Sequence, residues 1–486
     1  MRIPANGLDD DTLFATLESF RAQDVSWRDG RTWAYVYDPG AEADAVLKRA
    51  FTMYLSENGL DPTAFPSVLR LENELVAMAA AHLGGDADVV GNFTSGGTES
   101  IMLAVKTARD HARAFRPQIA RPEMILPETA HAAFHKAAHF LGVEVVLTPV
   151  DPVTFKADVE AMRAAITENT ILLVGSAVSY AHCVIDPIRE IAALAAERQL
   201  LCHVDACMGG FLLPYFKRLG EPVPDFDLSV PGVTSISMDF HKYAFAAKGA
   251  SVVLHRNREL RRHQIYACSN WTGYTIVNAT VQSSKSAGPL AAAWAVLHHF
   301  GDAGYMEIAR QVLDGTKRLC AGIDAIDGLR VLGEPEMNLI AFTSDEVDVF
   351  HLTDEMKMKG WYIQPQLSYG ASKENVHLSV NPNCLQWIEP FLVDLAACVE
   401  SAKALPPSPL VGVIRQMFAA FDPSTGIDPA MMKQMMAMGG ISASALPERM
   451  AEINQVLNAL PIRVRELLLV EFMNELYAPT HDEAAR

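Results

Sequence analysis

The feature that most constrains this chain is an alternation, from about residue 65 onward, of short apolar runs with segments of helical periodicity. The segment 67–83 places Val68, Leu71 and Leu75 at the spacing of an amphipathic helix. The short runs are apolar throughout, which is typical of strands buried between helices on both faces of a sheet. They lie at 124–126, 143–147, 171–175, 200–204, 234–238 and 251–254. The alternation therefore predicts an α/β fold with a mostly parallel central sheet.

A second pattern begins after Ala287, where an alanine-rich helix over 289–299 leads into a smaller α+β unit. Its predicted strands lie at 329–332, 339–343, 361–364 and 377–380. The segment Ala404-Leu-Pro-Pro-Ser-Pro is typical of a linker, and the helical part beyond it is methionine-rich from Met431 to Met438, a pattern that favours packing over ligand binding. We predict an N-terminal segment (1–64), a large α/β domain (65–290), a small α+β domain (291–403) and a helical C-terminal extension (404–486).

The composition argues against several classes of partner. Half of the 486 residues are hydrophobic, the formal net charge is −18, and there is no extended basic run. Nucleic acid and anionic membrane surfaces are therefore poor candidates. The seven cysteines form no CxxC pair, the N-terminus lacks an apolar signal segment, and no apolar run reaches the roughly 20 residues of a membrane span. These features predict a cytoplasmic protein without stable membrane insertion.

Three segments carry candidate chemistry, and each lies where a sheet of this kind binds ligands, outside the carboxyl ends of its strands. In the first, Ser95-Gly-Gly-Thr-Glu-Ser100 is predicted to form a glycine-containing loop that runs straight into a helix. The helix N-terminus offers free N–H groups and a positive dipole end, which suit a phosphate, and Thr98 adds a hydroxyl. The same residues resemble a capping box, so an ordinary capped loop is the alternative.

The second segment, Leu-Leu-Cys-His-Val-Asp205-Ala-Cys-Met-Gly-Gly, delivers a carboxylate at the end of an apolar strand. Alone, Asp205 would be a helix cap or an ion-pair partner, but such a carboxylate also keeps a pyridine nitrogen protonated. In the third, Ser-Ile-Ser-Met-Asp-Phe-His241-Lys242-Tyr243, a buried strand leads to a lysine beside a histidine. A lysine desolvated among cations has a lowered pKa and becomes a Schiff-base nucleophile. A phosphate loop, an aspartate and a strand-end lysine in this order are what a pyridoxal phosphate (PLP) site requires.

Together with Thr129-Ala-His131, these segments resemble the group II PLP-dependent decarboxylases, and within that family they are most similar to the sphingosine-1-phosphate lyase branch. The resemblance runs from about Tyr37 to His377. It implies the fold type I, aminotransferase-like architecture, with PLP as cofactor. It also implies an obligate homodimer with shared active sites, which breaks a bond at the amine-bearing carbon of a small-molecule amino substrate.

The resemblance implies a role for each matching residue on the cofactor side. Lys242 is the Schiff-base lysine, Asp205 pairs with the pyridinium nitrogen, and His131 stacks on the ring opposite Cys207. The residues implied to hold the phosphate come from separate segments: Gly97, Thr98 and His241, with Ser283 reaching the phosphate in the partner subunit. Tyr243 is interpreted as a packing neighbour.

On the substrate side the resemblance is incomplete. Tyr37, a predicted catalytic residue, Asn58 and Lys248 match the branch, and Lys248 is expected to bind a phosphate or carboxylate of the substrate. Asp61 stands where the branch has a histidine and would repel a substrate phosphate. Lys285 stands where the branch has an arginine, so the charge is kept but bidentate anion binding is lost.

Two reactions therefore stay open. Carbon–carbon (retro-aldol) cleavage that releases an aldehyde is placed first, and decarboxylation of an L-amino acid, which releases CO₂, is the alternative. A third hypothesis, a PLP fold that has lost catalysis, is disfavoured by the intact Lys242, Asp205, His131 and Thr98. Trp361, Gln366 and His377 fall where the family shapes its substrate pocket, but nothing in their spacing demands that role, and a structural histidine is the favoured interpretation of His377.

Overall fold

The computed structural model describes residues 3–406, 408–418 and 447–479. Short 3₁₀ helices occur at Arg21–Gln23, Trp27–Asp29 and Pro382–Trp387. The α-helices of the described residues, which we number α1 to α15 in chain order, are Asp10–Phe20, Ala41–Met53, Pro66–His82, Gly97–Phe115, Ala133–Leu141, Val159–Ala165, Ile188–Glu197, Leu213–Arg218, Arg258–Arg261, Gly288–Asp324, Val349–Met358, Ile388–Lys403, Pro409–Met417, Ala451–Ala459 and Ile462–Leu476. The strands, β1 to β13, are Val90–Thr94, Glu123–Pro127, Glu144–Thr148, Thr170–Ser176, Leu201–Asp205, Ser235–Asp239, Ser251–His255, Tyr266–Cys268, Ile276–Asn278, Leu329–Val331, Leu339–Ser344, Gln364–Gln366 and Asn375–Ser379.

The central sheet has seven strands in the order β1-β7-β6-β5-β4-β2-β3. Strands β2 to β6 run parallel to one another, and β7 is antiparallel to both of its neighbours, β6 and β1. Every side chain of β4, β6 and β7 is buried, as expected for strands covered on both faces. Strands β2 to β7 have nearly the bounds that the sequence predicts. The predicted α/β fold with a mostly parallel sheet is confirmed.

The edge strand β1 was not predicted, and it changes the description of the first motif. It pairs with β7 in the register Val90↔His255 to Thr94↔Ser251. A Cβ on Gly91 would lie only 2.4 Å from the carbonyl oxygen of Val253, so close approach of the two strands requires the glycine. Helix α4 then begins at Gly97, and the predicted loop is correspondingly shorter.

A smaller antiparallel sheet has the order β10-β11-β13-β12. The strand predicted at 361–364 is wrong in position, because β12 covers Gln364–Gln366. Tyr362 instead joins the N-terminal part of the chain, since its N–H donates to the Arg31 carbonyl at 3.0 Å and its carbonyl accepts from Trp33 N–H at 2.9 Å. A local pattern does not reveal this long-range pairing.

Helix α10 extends far beyond the predicted 289–299 and crosses the boundary predicted near residue 290. Its backbone leaves the helical conformation at Gly301, where φ is +59°. Buried apolar side chains of both sheets belong to one continuous core. The domain division therefore stays a prediction.

The C-terminal helices α14 and α15 form a small apolar cluster around Val456 and Val464. They attach to the smaller sheet's helix α11 through Asp354, whose carboxylate accepts the backbone N–H of Met450 at 2.9 Å and of Ala451 at 2.8 Å. The predicted methionine-rich helix at Met431 to Met438 lies outside the described residues. Among the helices of the described ranges, none has the length and apolar character needed to cross a bilayer.

Candidate active site

The carboxyl ends of neighbouring strands deliver the predicted cofactor residues to one edge of the central sheet. Gly97 follows β1, His131 follows β2, Asp205 ends β5, and Lys242 follows β6. They line one cavity of about 310 Å³. The lining residues are Ser95, Gly96, Gly97, Thr98, Glu99, Ile101, His131, Ser176, Val178, Tyr180, Asp205, Cys207, Met208, Asp239, His241 and Lys242.

The N-terminus of α4 is open toward this cavity. No side chain caps it, so the first N–H groups of the helix have no side-chain acceptor within the described part of the chain. Glu99 turns back instead, and its Oε2 accepts from Ser95 N at 2.6 Å and from Ser95 Oγ at 2.7 Å. Of the alternative capping box, the contact from the glutamate back to the loop N–H is formed, but the contact from a Ser or Thr side chain to the helix N–H groups is not formed in the described chain. The open N–H groups and the helix dipole favour a phosphate at this end.

Gly97, in the phosphate loop, packs closely against Cys207 and Asp239. A Cβ at this position would lie 2.7 Å from Cys207 Sγ and 3.0 Å from each carboxylate oxygen of Asp239. A larger residue would therefore displace either the loop or these two side chains.

Asp205 lines the cavity and is 6% exposed. Its Oδ1 accepts from Cys207 N at 3.1 Å and from Ser237 Oγ at 3.4 Å. Beneath it, His203 is bonded to Ser235 and Ser237, and burial lowers the pKa of His203 to about 4, so this histidine is neutral. In the described ranges no lysine, arginine or histidine lies within ion-pair distance of Asp205, and a buried carboxylate in this situation favours a cationic ligand atom.

Lys242 reaches into the cavity beside Asp239. Its Nζ lies 2.9 Å from Asp239 Oδ2, and His241 Nε2 lies 3.6 Å from the same oxygen. His241 Nδ1 accepts the Ala250 N–H at 3.2 Å, which leaves the proton of the neutral ring on Nε2. The imidazole edge of His241 adjoins the phosphate loop, since a Cβ on Gly96 would lie 3.5 Å from His241 Cε1.

The prediction that Lys242 has a lowered pKa is wrong for the cofactor-free chain. Burial lowers the pKa of this ammonium, but the attraction of Asp239, with smaller contributions from Cys207 and Tyr37, outweighs it and raises the pKa above its ordinary value. The expectation rested on neighbouring cations such as His241, whereas the carboxylate of Asp239, three residues before Lys242, has the larger influence on its pKa.

His131 and Tyr180 both line the cavity. His131 Nδ1 accepts the Ala133 N–H at 3.1 Å, and its ring meets Tyr180 edge-on at 6.4 Å between centroids. Tyr180 donates its hydroxyl to Gln364 Oε1 at 2.8 Å. His377 stacks on Tyr180 at 4.4 Å and bonds its carbonyl at 2.8 Å, so His377 positions this tyrosine from a fully buried site.

Tyr37 and Lys248 line a second cavity of about 470 Å³, which shares His241 with the first. Lys248 Nζ lies 4.5 Å from the centroid of the Tyr37 ring. Burial raises the pKa of Tyr37 to about 12, and burial with the charge of Lys242 lowers the pKa of Lys248 to about 8. No carboxylate of the described residues lies within ion-pair distance of Lys248, so its charge is available to an anion.

Three predicted residues do not join either cavity within one chain. Asn58 Oδ1 accepts Leu60 N–H at 3.0 Å, and exposed Asp61 accepts from Thr63 N at 2.8 Å. Ser283 lies on the exposed segment after β9. The roles assigned to Asn58, Asp61 and Ser283 stay predictions.

Lys285, expected to offer its charge to the substrate, is engaged elsewhere. It is buried, and its Nζ lies 2.6 Å from Glu72 Oε2 and 3.2 Å from the Phe93 carbonyl oxygen. This ion pair joins α3 to the segment after β9, and the Glu72 carboxylate balances the positive charge of Lys285.

Sequence reasoning missed three residues that line the Lys242 cavity: Glu99, Tyr180 and Asp239. Asp239 precedes Lys242 at the end of the same strand, so its position alone was a usable signal. Glu99 joins two loops, because its Oε1 also accepts Val281 N–H at 2.8 Å. Tyr180 follows the strand that ends at Ser176, the same signal that identified Asp205.

These residues fit PLP. An open helix N-terminus suits its phosphate, the unpaired carboxylate of Asp205 suits a protonated pyridine nitrogen, and a buried lysine suits its aldehyde. The cavity of about 310 Å³ lies between these groups, within the size range of small-ligand sites.

Comparison with known proteins points the same way. The chain matches the pyridoxal-dependent decarboxylase conserved domain over residues 9–345, and a C-terminal putative HTH domain of pyridoxal-dependent enzymes over 412–475. It is 42% identical to sphingosine-1-phosphate lyase of Oryza sativa subsp. japonica, covering 83% of this chain and 75% of the relative. It is 39% identical to the Arabidopsis thaliana sphingosine-1-phosphate lyase, covering 86% and 77%. The solved Burkholderia pseudomallei sphingosine-1-phosphate lyase is 36% identical with a TM-score of 0.79, covering 86% of this chain and 95% of that one.

Proposed function

Because the chain belongs to the pyridoxal-dependent decarboxylase family, we propose that it cleaves a phosphorylated amino alcohol as sphingosine-1-phosphate lyases do. The chain is a PLP-dependent carbon–carbon lyase, and the proposed products are an aldehyde and a phosphorylated amine. The observation that carries the choice of substrate is Lys248, an ammonium group without a carboxylate partner in the described residues. It lies beside Tyr37 in a cavity that adjoins Lys242 through His241.

When bound, PLP supplies an electron sink for the bond broken at the amine-bearing carbon. Asp205 would hold a proton on the pyridine nitrogen, which keeps the sink effective, and the open N-terminus of α4 would bind the phosphate. His131 would stack on the ring, and the Ala133 N–H aligns its imidazole. These groups are fixed by hydrogen bonds of the folded chain, so little reorganisation is needed during the reaction.

The substrate side selects the bond by orientation. Lys248 binds the substrate phosphate by charge, which fixes the amine-bearing carbon near Lys242. The pKa values of Tyr37 and Tyr180 are both raised to about 12 by burial, so both phenols stay protonated at neutral pH. They orient the substrate hydroxyl by hydrogen bonds without adding charge next to its phosphate.

A product assay tests this proposal. Purified enzyme loaded with PLP is incubated with sphingosine 1-phosphate, with unphosphorylated sphingosine, and with a panel of L-amino acids. Aldehyde and CO₂ are measured in parallel, and Lys242→Ala is the blank. We expect aldehyde without CO₂, and a strong preference for the phosphorylated compound. Release of CO₂ with an amine product would instead identify an amino-acid decarboxylase.

We also propose a homodimer with shared active sites. Helix α1 has no buried residue, and it exposes Leu13, Phe14, Leu17 and Phe20 to solvent in the single chain, an apolar face that a second copy would cover. Mass measurement in solution tests the dimer. Mixing Lys242→Ala with Ser283→Ala subunits tests the sharing, because a heterodimer would combine one intact site with one doubly altered site and regain activity.

A small-molecule amino substrate remains the proposed partner, and nucleic acid does not. Helix α15, which lies within the HTH match, carries Arg463 and Arg465 but also Glu466, Glu471 and Glu475, unlike a basic recognition surface.

We further propose a cytoplasmic location, which the unpaired state of all seven cysteines supports. Fractionation of cells that express the chain tests the location.

A further inference from the structure

We propose that Asp239 is the counter-ion of the Lys242 nitrogen, a positioning residue that keeps this nitrogen protonated both before and after the cofactor is linked to it. The proposal concerns cofactor capture alone and does not depend on which bond of the substrate is cleaved.

The geometry around Asp239 is specific. Its Oδ2 lies 2.9 Å from Lys242 Nζ, and the carboxylate is 2% exposed. Its Oδ1 has no hydrogen-bond partner in the described chain, although it is buried. The carboxylate also lies directly behind Gly97, where it limits how far the phosphate loop approaches. A buried carboxylate with one oxygen unsatisfied depends on its cation, because removal of that cation would leave an uncompensated buried charge.

Other ionisable groups do not replace Asp239 as the negative partner. The groups that face Lys242 besides Asp239 are Cys207, Tyr37, Tyr180, His241 and Lys248. Burial raises the pKa of Cys207, Tyr37 and Tyr180, so these groups are neutral at neutral pH. Asp205 lines the same cavity, but within the described chain the carboxylate at ion-pair distance from Lys242 is that of Asp239. The compensating negative charge therefore comes from Asp239.

The consequence for capture follows from the proton balance. The ammonium of Lys242 first releases one proton to solvent, and the amine nitrogen then bonds to the aldehyde carbon of PLP. The two remaining nitrogen protons leave with the aldehyde oxygen as water, and a carbon–nitrogen double bond remains. The nitrogen takes up one proton again, and Asp239 stabilises that positive charge. Asp239 therefore slows the loss of the first proton from the Lys242 ammonium, and it stabilises the protonated form of the linked nitrogen.

The test uses the full-length enzyme freed of cofactor, as wild type, Asp239→Asn and Asp239→Ser, with circular dichroism to confirm folding. At saturating PLP and pH 7.5, the first-order appearance of the visible absorption band is measured, and pyridoxal without phosphate serves as a second probe. We expect capture at least tenfold faster in both variants and with both probes. In the linked enzyme, the pH at which the visible band changes should fall by more than one unit, which corresponds to about 1.4 kcal/mol.

Glu336→Gln is the matched control, because it removes a carboxylate that pairs with a lysine, Lys156, outside the cofactor cavity. Capture by this variant should stay within twofold of wild type. The proposal is overturned if both Asp239 variants fold but keep the capture rate within twofold and the spectral transition within 0.3 pH units. It is equally overturned if Glu336→Gln accelerates capture as much as they do, since the effect would then not depend on contact with Lys242.

Discussion

The space around Gly97 allows a quantitative prediction for Gly97→Ala. The added Cβ would lie 2.7 Å from Cys207 Sγ, whereas nonbonded heavy atoms normally approach to about 3.5–4.0 Å. The overlap is thus roughly 1 Å, and Cys207 has little room to retreat because it is buried and bonded to Ser237. Overpacking of this kind costs about 1–3 kcal/mol. Since the phosphate loop must give way, we expect PLP affinity to fall about 5- to 150-fold.

Equilibrium titration of the cofactor-free enzyme with PLP measures this loss. Gly412→Ala is the control, because nothing lies within 4 Å of the Cβ that it adds. The double variant Gly97→Ala, Cys207→Ala removes the sulfur that the new methyl meets, so the two changes should couple by at least about 1 kcal/mol in a double-mutant cycle. The steric reasoning is refuted if Gly97→Ala binds PLP within twofold of wild type, or if the two changes are additive.

Three further predictions follow from charge. Asp205→Asn should still capture PLP on Lys242 but lose about 10²-fold or more in kcat, measured at a cofactor content fixed by absorbance; unchanged kcat would remove Asp205 from the mechanism. Lys248→Met should raise KM for a phosphorylated substrate about tenfold or more and leave KM for its unphosphorylated analogue unchanged. The KM of the wild-type enzyme for the phosphorylated substrate should also rise above pH 8, because the pKa of Lys248 is about 8. Burial lowers the pKa values of His203, His255 and His377 to about 4, whereas an unfolded histidine has a pKa of about 6.5. The contribution of these neutral histidines to the free energy of unfolding is therefore complete above pH 6.5 and is lost as pH falls through 4. Urea unfolding should lose up to roughly 3 kcal/mol per histidine over that interval, and an unchanged midpoint at pH 4.5 would contradict this.

The sequence predicted the parts of the fold that depend on local pattern. Strands β2 to β7 are continuous apolar runs, so their bounds were nearly correct. β1 was missed because Gly91 and Asn92 have low strand propensity and are held by pairing with β7. The predicted strand at 361–364 failed for the same kind of reason, since Tyr362 pairs with the N-terminal segment.

The sequence predicted those residues of the candidate site whose chemistry and position at a strand end both match a need of PLP. Lys242, Asp205 and the phosphate loop were found because each follows a strand and offers a group that PLP needs. The charge state of Lys242 was not, because it depends on a distance of 2.9 Å to Asp239 that spacing does not give. Lys285 is the opposite case. The sequence predicts a charge available to the substrate, but in the structure Lys285 is buried in an ion pair with Glu72.

The position of β1 at the edge of the central sheet has a consequence for how the enzyme matures. The strand leads directly into the phosphate loop, yet it is placed by β7, which is synthesised much later and is far away in sequence. A pairing across so many residues is slow to form, because the entropy of closing the intervening chain is lost before the contact stabilises it. A nascent chain therefore acquires its phosphate-binding end only after β7 has joined the sheet, and PLP recognises the completed fold rather than an intermediate. Cofactor supply then stabilises only finished molecules, by mass action.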